Sequence, residues 1–324
     1  MLIEAREEVW PLNQPFRISR GSRTEARVVV VTVTDEQYTG RGEAVPIARY
    51  NQSVASVLEQ IESIKREKNL DRHRLQSLLP ASSARNALDC ALWDLEAKIS
   101  GKRAWELANV PMVPKVETSF TISLDTPERM GAAAKAKASA PILKLKLGGD
   151  DLDLARVEAA REAAPAARLL IDANESWSPA HYREIVSALK GLGVELIEQP
   201  FPADADEVLE TLDHPIPVCA DESCHTSVDV PRLTNRYEML NVKLDKTGGL
   251  TEALLLCERA RESGFKLLIG CMVGTSLSMA PARVLASAAD YVDLDGPLLL
   301  ARDRDHGLNY QNGKIAIPNQ ELWG

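Results

Sequence analysis

Five charged residues recur along the middle of the chain at nearly constant intervals. They are Lys146, Asp172, Glu198, Asp221 and Lys243, and their successive separations are 26, 26, 23 and 22 residues. Each ends, lies in or directly follows a short segment rich in leucine and β-branched residues. A single acidic residue at the end of a strand is typical of an ordinary turn. Five charges in phase with one structural repeat instead indicate a shared functional site.

The three acidic members of this set predict a site for a divalent cation. Asp172, Glu198 and Asp221 offer only oxygen ligands, and no His or Cys occurs in phase with them. Oxygen ligands favour Mg²⁺, with Mn²⁺ as an alternative, over Zn²⁺. A structural Ca²⁺ site is a weaker interpretation, because Ca²⁺ usually takes more oxygen ligands from one local loop.

The lysines predict proton transfer beside that cation. Lys144 and Lys146 lie in the strand-like segment PILKLKLGG, and they share one face because side chains alternate along a strand. That face is either exposed to solvent or turned into a functional cavity. In the second case, Lys146 and Lys243 would act as bases on opposite sides of a carbon next to a carboxylate, with Lys144 as an auxiliary that lowers a lysine pKa by repulsion. Such chemistry, assisted by the cation, belongs to a racemase or epimerase.

The elements that position these residues alternate regularly between strand and helix from about residue 116. This alternation predicts parallel strands with right-handed crossovers, so we expect an α/β fold with a (β/α)₈-type barrel. In a ring of eight, the second and sixth strands carry Lys146 and Lys243 to opposite sides of the mouth. A doubly wound sheet is the alternative, but no Gly-x-Gly-x-x-Gly follows the first strand of either half. The strand segments are TSFTISL, ILKLKL, RLLID, VELIEQP, IPVCADE, MLNVKLD, KLLIG and YVDLDG.

The first 110 residues have a different pattern and predict an α+β unit. The run ARVVVVTVT (26–34) is typical of a strand, and residues 52–67 and 82–100 have helical spacing, with Ile99 on the apolar stripe of the second helix. The segment NVPMVPK (109–115) is typical of a linker.

Composition excludes several classes of function. The net charge of −9 argues against nucleic acid as a partner, whose phosphates require a basic surface. The longest uncharged run, 267–282, is too short and too polar to cross a membrane, and the N-terminus lacks the apolar core of a secretory signal. An odd number of cysteines without a Cys-x-x-Cys pair fits neither a disulfide framework nor a zinc ribbon, so we expect a cytoplasmic location.

The segments KLK (144–146), DAN, EQP, ADES and NVKLDKTGG together resemble the enolase superfamily, in the muconate-lactonising subgroup with a paired-lysine strand. The resemblance covers essentially the whole chain. It implies an α+β capping domain over residues 1–110, the catalytic barrel over 111–299, and a segment over 300–324 that returns to the capping domain.

Within that subgroup, the chain is most similar to dipeptide epimerases. The resemblance implies that Asp293 and Asp295 of DLDG bind the free ammonium of a dipeptide. It implies that Arg23 of SRGSRTE (19–25), on the first capping loop, binds the side-chain carboxylate of a substrate glutamate, although Arg20 lies near enough to take that role. The remaining implied residues are Thr121 as a substrate contact and Asn174 just outside the metal ligands.

The resemblance therefore implies a metal-dependent enzyme that inverts the α-carbon of the C-terminal residue of L-Ala-D/L-Glu-type dipeptides through a Mg-stabilised enediolate, in the context of murein peptide recycling. A homo-oligomer is compatible with the sequence. Alternatives are an o-succinylbenzoate synthase or a cycloisomerase, whose substrates have no ammonium for Asp293 and Asp295 to bind. The same lack of an ammonium excludes an N-acylamino acid racemase. An alternative of another class is a non-catalytic metal- or ligand-binding barrel. A phosphate at GCMVGTS (270–276) is a rival to a peptide carboxylate as the bound anion.

Overall fold

Three antiparallel strands begin the computed structural model, which describes residues 1–324. In the β1–β2 hairpin, Ile18 lies opposite Gly21, so only Ser19 and Arg20 form the turn. The expected capping loop over 19–25 is therefore the tip of a hairpin, and Gly21 has a φ of 148° that favours glycine. The strands are β1 (Leu2–Ile18), β2 (Gly21–Asp35) and β3 (Tyr38–Ala44).

Strand β2 is apolar because both of its faces are buried. Val29, Val31 and Val33 pack in the core of the N-terminal unit. Val28 and Val30 point to the other side and belong to the larger core that includes the barrel. The four consecutive valines thus join the two cores, as expected for a strand that is covered on both faces.

Helices follow where the spacing predicted them. The longest starts after Ser82, whose side chain accepts a hydrogen bond from Arg85 N, and it ends at Gly101 in the left-handed conformation. Ile99 is exposed, so its expected place on the buried stripe is wrong: it lies in the last turn, beyond the packed face. The helices are α1 (Val54–Ile64), α2 (Arg72–Leu78), α3 (Ser83–Ser100) and α4 (Ala104–Leu107), and a 3₁₀ turn spans Ala48–Tyr50.

Eight parallel strands then form one sheet in which each strand pairs with the next along the chain. They follow β4 (Lys115–Glu117) and are β5 (Ser119–Ile122), β6 (Ile142–Lys146), β7 (Arg168–Asp172), β8 (Val194–Glu198), β9 (Val218–Ala220), β10 (Met239–Val242), β11 (Lys266–Ile269) and β12 (Tyr291–Val292). Hydrogen bonds from Thr121 N to Asp295 Oδ2, at 2.6 Å, and from Leu294 N to Thr118 Oγ1, at 2.9 Å, join the two ends of the sheet. The predicted α/β barrel fold is confirmed.

Helices follow most of the strands in this barrel. The crossover between β8 and β9 contains only a 3₁₀ turn, Asp206–Thr211. None of the helices is both long and apolar enough to cross a membrane. They are α5 (Pro127–Ala136), α6 (Asp153–Ala163), α7 (Pro179–Gly191), α8 (Val230–Leu233), α9 (Leu244–Thr247), α10 (Leu250–Glu262), α11 (Ser276–Val284) and α12 (Gly296–Leu299), with further 3₁₀ turns at Ser227–Asp229 and Leu285–Ala288.

The last segment contacts both parts of the molecule. Strands β13 (Tyr310–Gln311) and β14 (Lys314–Ala316) form a small sheet with β4. At the chain end, buried Trp323 donates from Nε1 to Cys90 O at 3.0 Å, and Gly324 N donates to Asp94 Oδ1 at 2.7 Å, so the terminus is bonded to α3. The three-part division at residues 110 and 299 stays a prediction.

Candidate active site

The functional charges lie directly above an apolar layer inside the barrel. That layer consists of Ile142, Leu170, Leu196, Cys219, Met239 and Leu268. Two residues further along, the strand alternation returns the next side chain to the interior, and there stand Lys144, Asp172, Glu198 and Asp221. These charges therefore share the carboxyl end of the barrel, which is where active sites of this architecture lie.

The three carboxylates are arranged as a cation site. Ligand oxygens of Asp172, Glu198 and Asp221 all lie within 4.8 Å of one another, and the three residues are buried. Their orientation is fixed by neutral donors: Asn174 N donates to Asp172 Oδ1 and Asn241 Nδ2 donates to Glu198 Oε1, each at 2.8 Å. A set of three oxygens that leaves further positions open fits Mg²⁺ or Mn²⁺.

Each predicted lysine is bonded to one of these carboxylates. The Nζ atom of Lys146 is 2.5 Å from Asp172 Oδ2, that of Lys243 is 2.5 Å from Asp221 Oδ2, and that of Lys144 is 2.6 Å from Glu198 Oε2. All three lysines are buried and line the same cavity. The interpretation of KLK as a solvent-exposed face is therefore wrong, and both lysines point into the cavity.

A fourth lysine was missed at the sequence level. Lys246 Nζ donates to Asp221 Oδ1 at 2.6 Å, to Asp221 O at 2.5 Å and to Asn241 O at 2.9 Å, so its three protons are all used. This ammonium therefore orients Asp221. Its only sequence signal is its place three residues after Lys243, at the end of α9 and outside the strand-end phase.

The pKa values of these groups follow from their mutual contacts. Burial opposes charge on Asp172, but Lys146 and Lys144 outweigh it and lower its pKa to about 2. Burial likewise lowers the pKa of Lys243, but Asp221 and Glu198 outweigh it, so the lysine pKa is raised. Lys144 does act to lower the pKa of Lys243 by repulsion, but Asp221 and Glu198 act more strongly than this repulsion and burial together.

A cavity of about 660 Å³ lies above these charges, between the barrel mouth and the N-terminal unit. Its roof includes Phe16 and Ile18 at the end of β1, and Tyr50 of the 3₁₀ turn. The predicted residues that reach it are Arg23, Thr121, Lys144, Lys146, Asn174, Asp221, Lys243, Asp293 and Asp295. Asp172 and Glu198 lie just beneath it, at 0% and 1% exposure.

The two aspartates after β12, Asp293 and Asp295, accept hydrogen bonds from other residues of the barrel. Asp293 accepts from Lys144 Nζ at 2.8 Å through Oδ2 and from Ser119 Oγ through Oδ1. Asp295 accepts from Thr121 N at 2.6 Å. Burial and the nearby Asp293 raise the pKa of Asp295 to about 7. Thr121 therefore orients Asp295 through its backbone.

The structure distinguishes the two arginines of the hairpin. Arg20 is bonded to the barrel, with Nη1 2.9 Å from Asn174 O and Nη2 2.7 Å from Glu222 Oε1. Arg23 is exposed in the cavity and makes no ion pair. Although the side chain of Arg23 is accessible from the cavity, the surrounding protein partly desolvates it, and this desolvation together with repulsion by Arg20 lowers its pKa.

Comparisons with protein families agree with this geometry. Residues 2–108 match the mandelate racemase / muconate lactonizing enzyme N-terminal domain, and residues 129–321 match the enolase C-terminal domain-like family. The chain belongs to this branch of the enolase superfamily. The predicted superfamily is therefore confirmed.

Two relatives of the chain are named as an epimerase and a racemase, which are isomerases. The chain is 46% identical to L-Ala-D/L-Glu epimerase of Escherichia coli over 319 residues, covering 97% of this chain and 99% of the relative. It is equally 46% identical to N-acetyl-D-glutamate racemase of a Pseudoalteromonas species, over 92% of this chain and 95% of that protein.

Solved structures from the same superfamily show what such proteins bind. An enolase family member from Agrobacterium tumefaciens, with homology to dipeptide epimerases and with bound sodium and L-Ala-L-Glu, aligns with a TM-score of 0.97 at 46% identity over 99% of each chain. A dipeptide epimerase from Enterococcus faecalis complexed with Mg and L-Leu-L-Tyr aligns with a TM-score of 0.92 at 27% identity, over 98% of this chain and 97% of that one.

Proposed function

We propose that this protein is a metal-dependent dipeptide epimerase that inverts the α-carbon of the C-terminal residue of L-Ala-D/L-Glu-type dipeptides. The observation that carries the proposal is the pair of buried lysines, Lys146 on β6 and Lys243 after β10, each bonded to a carboxylate of one cation site. These strands are four positions apart in a sheet of eight. The relatives named epimerase and racemase share this chemistry of proton transfer at one carbon.

The two lysines act on opposite faces of the substrate. One removes the α-proton as a neutral amine while the other, as an ammonium, delivers a proton to the opposite face, which inverts the centre. Asp172, Glu198 and Asp221 would hold a divalent cation, which would supply positive charge beside the substrate carboxylate and offset the negative charge that these carboxylates present to the lysines. Lys144 is not a base in this scheme, because its ammonium is also held at 2.8 Å by Asp293, which is not one of the proposed cation ligands.

Substrate recognition follows from the groups that remain around the cavity. Arg23 is a cation without a partner and fits the side-chain carboxylate of a glutamate at the C-terminal position. Asp293 and Asp295, oriented by Lys144 and Thr121, fit the ammonium of the first residue. An acidic dipeptide with a free N-terminus therefore complements both ends of the cavity in charge.

The physiological setting is part of the same proposal. A dipeptide of L-Ala and D-Glu comes from cell-wall peptides, so we propose a role in murein peptide recycling in the cytoplasm. The five cysteines are free thiols, four of them buried, which suits a reducing compartment.

Racemisation of N-acetylglutamate is a second candidate function. Asp293 is already neutralised by Lys144 at 2.8 Å, so the cavity does not depend on a substrate ammonium to balance that charge. An acetyl group would then replace the alanyl residue, while Arg23 and the lysines act as before. This ion pair removes the reason for excluding N-acylamino acid racemases, whose substrates have no ammonium.

The deciding experiment is ¹H NMR of L-Ala-L-Glu with enzyme and Mg²⁺ in D₂O, run beside N-acetyl-L-glutamate. Loss of the glutamate α-proton with growth of the L-Ala-D-Glu signals establishes dipeptide epimerisation. Faster exchange with N-acetylglutamate would favour the second candidate. Turnover only of an o-succinylbenzoate or lactone precursor would instead identify the protein as an o-succinylbenzoate synthase or a cycloisomerase. If none of these compounds is turned over, a non-catalytic barrel is favoured.

A further inference from the structure

Two arginines of the N-terminal unit converge on one barrel carboxylate, that of Glu175. Arg49 donates from Nε to Oε2 and from Nη2 to Oε1, both at 2.9 Å. Arg20 donates from Nη1 to Oε2 at 3.0 Å, and Ala203 N donates to Oε1 at 2.9 Å. The Glu175 side chain is 7% exposed. A buried carboxylate with four donors, three of them charged, is a strong point of attachment.

The backbone that carries Glu175 adopts a conformation that residues other than glycine rarely take. Its φ is 67°, and that of the preceding Asn174 is 44°. Glu175 N is held by Gln199 O at 2.9 Å. Backbone strain of this kind persists where the surroundings enforce it, and it is concentrated at functional sites. Here the strained backbone places the Glu175 side chain between the barrel and the segments of the N-terminal unit that cover the cavity.

A second barrel carboxylate completes the cluster. Arg20 Nη2 donates to Glu222 Oε1 at 2.7 Å, and Ser19 Oγ donates to Asn174 O at 3.1 Å. The tip of the β1–β2 hairpin is thus bonded to the loops after β7 and β9. Arg49 brings the 3₁₀ turn onto the same carboxylate, so two guanidiniums and two carboxylates balance in charge.

We propose that Glu175 is a positioning residue that holds the tip of the β1–β2 hairpin and the 3₁₀ turn on the barrel. It thereby fixes Arg23 and Tyr50 over the substrate. Arg23 lies three residues after Arg20 at the start of β2, opposite Phe16 in the hairpin. Tyr50 directly follows Arg49, lines the cavity and contacts the His225 ring edge-on at a centroid distance of 4.5 Å. In its consequence for acidic dipeptides, this inference rests on the function proposed above.

The test uses Glu175→Gln, which keeps the size of the side chain and removes its charge, in the Mg²⁺-loaded enzyme. Hydrogen exchange in peptides covering 16–25 and 47–52 should accelerate about tenfold, because the hairpin tip opens more often. The KM for L-Ala-L-Glu should rise about tenfold while kcat stays within about twofold, since the lysines are untouched. Arg49→Ala removes the exposed arginine that is bonded to Glu175. It should produce the same acceleration of hydrogen exchange in the peptide covering 47–52.

Glu195→Gln is the matched control. Glu195 Oε2 also accepts from two other elements, Arg168 Nε at 2.9 Å and Tyr291 Oη at 2.8 Å, but at the amino end of the barrel. Glu195→Gln should leave unchanged both the hydrogen exchange of the two peptides and the KM for L-Ala-L-Glu. Unchanged exchange in Glu175→Gln, or a joint fall of kcat and thermal stability with KM unchanged, would overturn the inference. If the wild type does not turn over the dipeptide, the proposed function fails, and hydrogen exchange still decides the role of Glu175.

Discussion

Lys146 and Asp172 lie opposite each other on neighbouring strands β6 and β7, and the Nζ atom of the lysine is 2.5 Å from Oδ2 of the aspartate. Lys243 follows β10 and Asp221 follows β9, and their Nζ and Oδ2 atoms are also 2.5 Å apart. Each proposed base is thus paired with one proposed cation ligand. Each half of the site combines one lysine with one carboxylate, which suits a reaction that runs in both directions.

Replacing either base should separate inversion from proton exchange. Lys146→Ala and Lys243→Ala should each lower epimerisation by at least about 10³-fold, because one face of the substrate loses its proton donor or acceptor. Each variant should still exchange the α-proton of one diastereomer only, the opposite one in the two variants. ¹H NMR in D₂O, starting from L-Ala-L-Glu and from L-Ala-D-Glu, measures both. Exposed Lys314→Ala serves as the control, and full epimerisation in either variant would remove the two-base model.

Arg23 should determine the preference for an acidic second residue. Arg23→Ala should raise the KM for L-Ala-L-Glu about 10- to 100-fold and that for a neutral dipeptide only slightly, because a charge-assisted contact to the side chain is lost. Arg27, four residues further along β2, is paired with Glu7 and Glu25 and provides a matched control. Equal effects of Arg23→Ala on acidic and neutral dipeptides would mean that this arginine does not bind the side-chain carboxylate.

Removal of divalent cations should abolish activity and leave the protein folded. The carboxylates of the cation site are neutralised by Lys144, Lys146, Lys243 and Lys246 when no ion is present. Dialysis against EDTA should therefore stop α-proton exchange without loss of the folded circular dichroism spectrum, and Mg²⁺ or Mn²⁺ should restore exchange and raise Tm. Persistent exchange in excess EDTA would argue against a cation in the reaction.

Buried Asp245 should make stability fall as pH rises. Burial and the nearby Glu43 raise its pKa to about 7, while Val45 N and Asn86 Nδ2 each donate to Oδ1 at 2.9 Å. Because the folded pKa exceeds the unfolded value of 3.8, the folded state binds more protons between these values, and the free energy of unfolding decreases with pH.

Asp245→Asn keeps the acceptor oxygen and removes this titration. Between pH 5 and pH 8, its free energy of unfolding should gain about 2 kcal/mol relative to the wild type, measured by urea unfolding at both pH values. Exposed Asp151→Asn should show no such gain. A stability difference between Asp245→Asn and the wild type that is the same at pH 5 and pH 8 would contradict the raised pKa.

The end of the chain should be essential for stability if residues 300–324 complete the capping domain. Trp323 is 1% exposed and bonded to Cys90 O on α3, so Trp323→Ala should cost about 3–5 kcal/mol in unfolding free energy. Ile317→Ala, on the half-exposed part of the same segment, should cost less than about 1 kcal/mol. A small effect of Trp323→Ala would mean that the terminus is an independent appendage.

The sequence by itself determined the barrel and the contents of its mouth. Parallel strands that recur with one helix each must end at the same side, so five charges in phase had to meet there. The assignment of Asp172, Glu198 and Asp221 to one cation site needed no more than oxygen chemistry and that period. The division of roles between bases and ligands came from the same spacing together with the superfamily resemblance.

Only the tertiary structure decided which charges are free and which are paired. Arg20 and Arg23 are indistinguishable in SRGSRTE, and they differ because a two-residue turn directs Arg20 to Glu222, 202 positions away. Lys144 neutralises Asp293 across 149 positions, which reopened a substrate class that the sequence had excluded. Periodicity is a local property that fixes faces and ends, whereas ion pairs depend on distances between remote segments. Those distances set the pKa values of the charged groups. They also decide which of these groups remain unpaired and can bind a substrate.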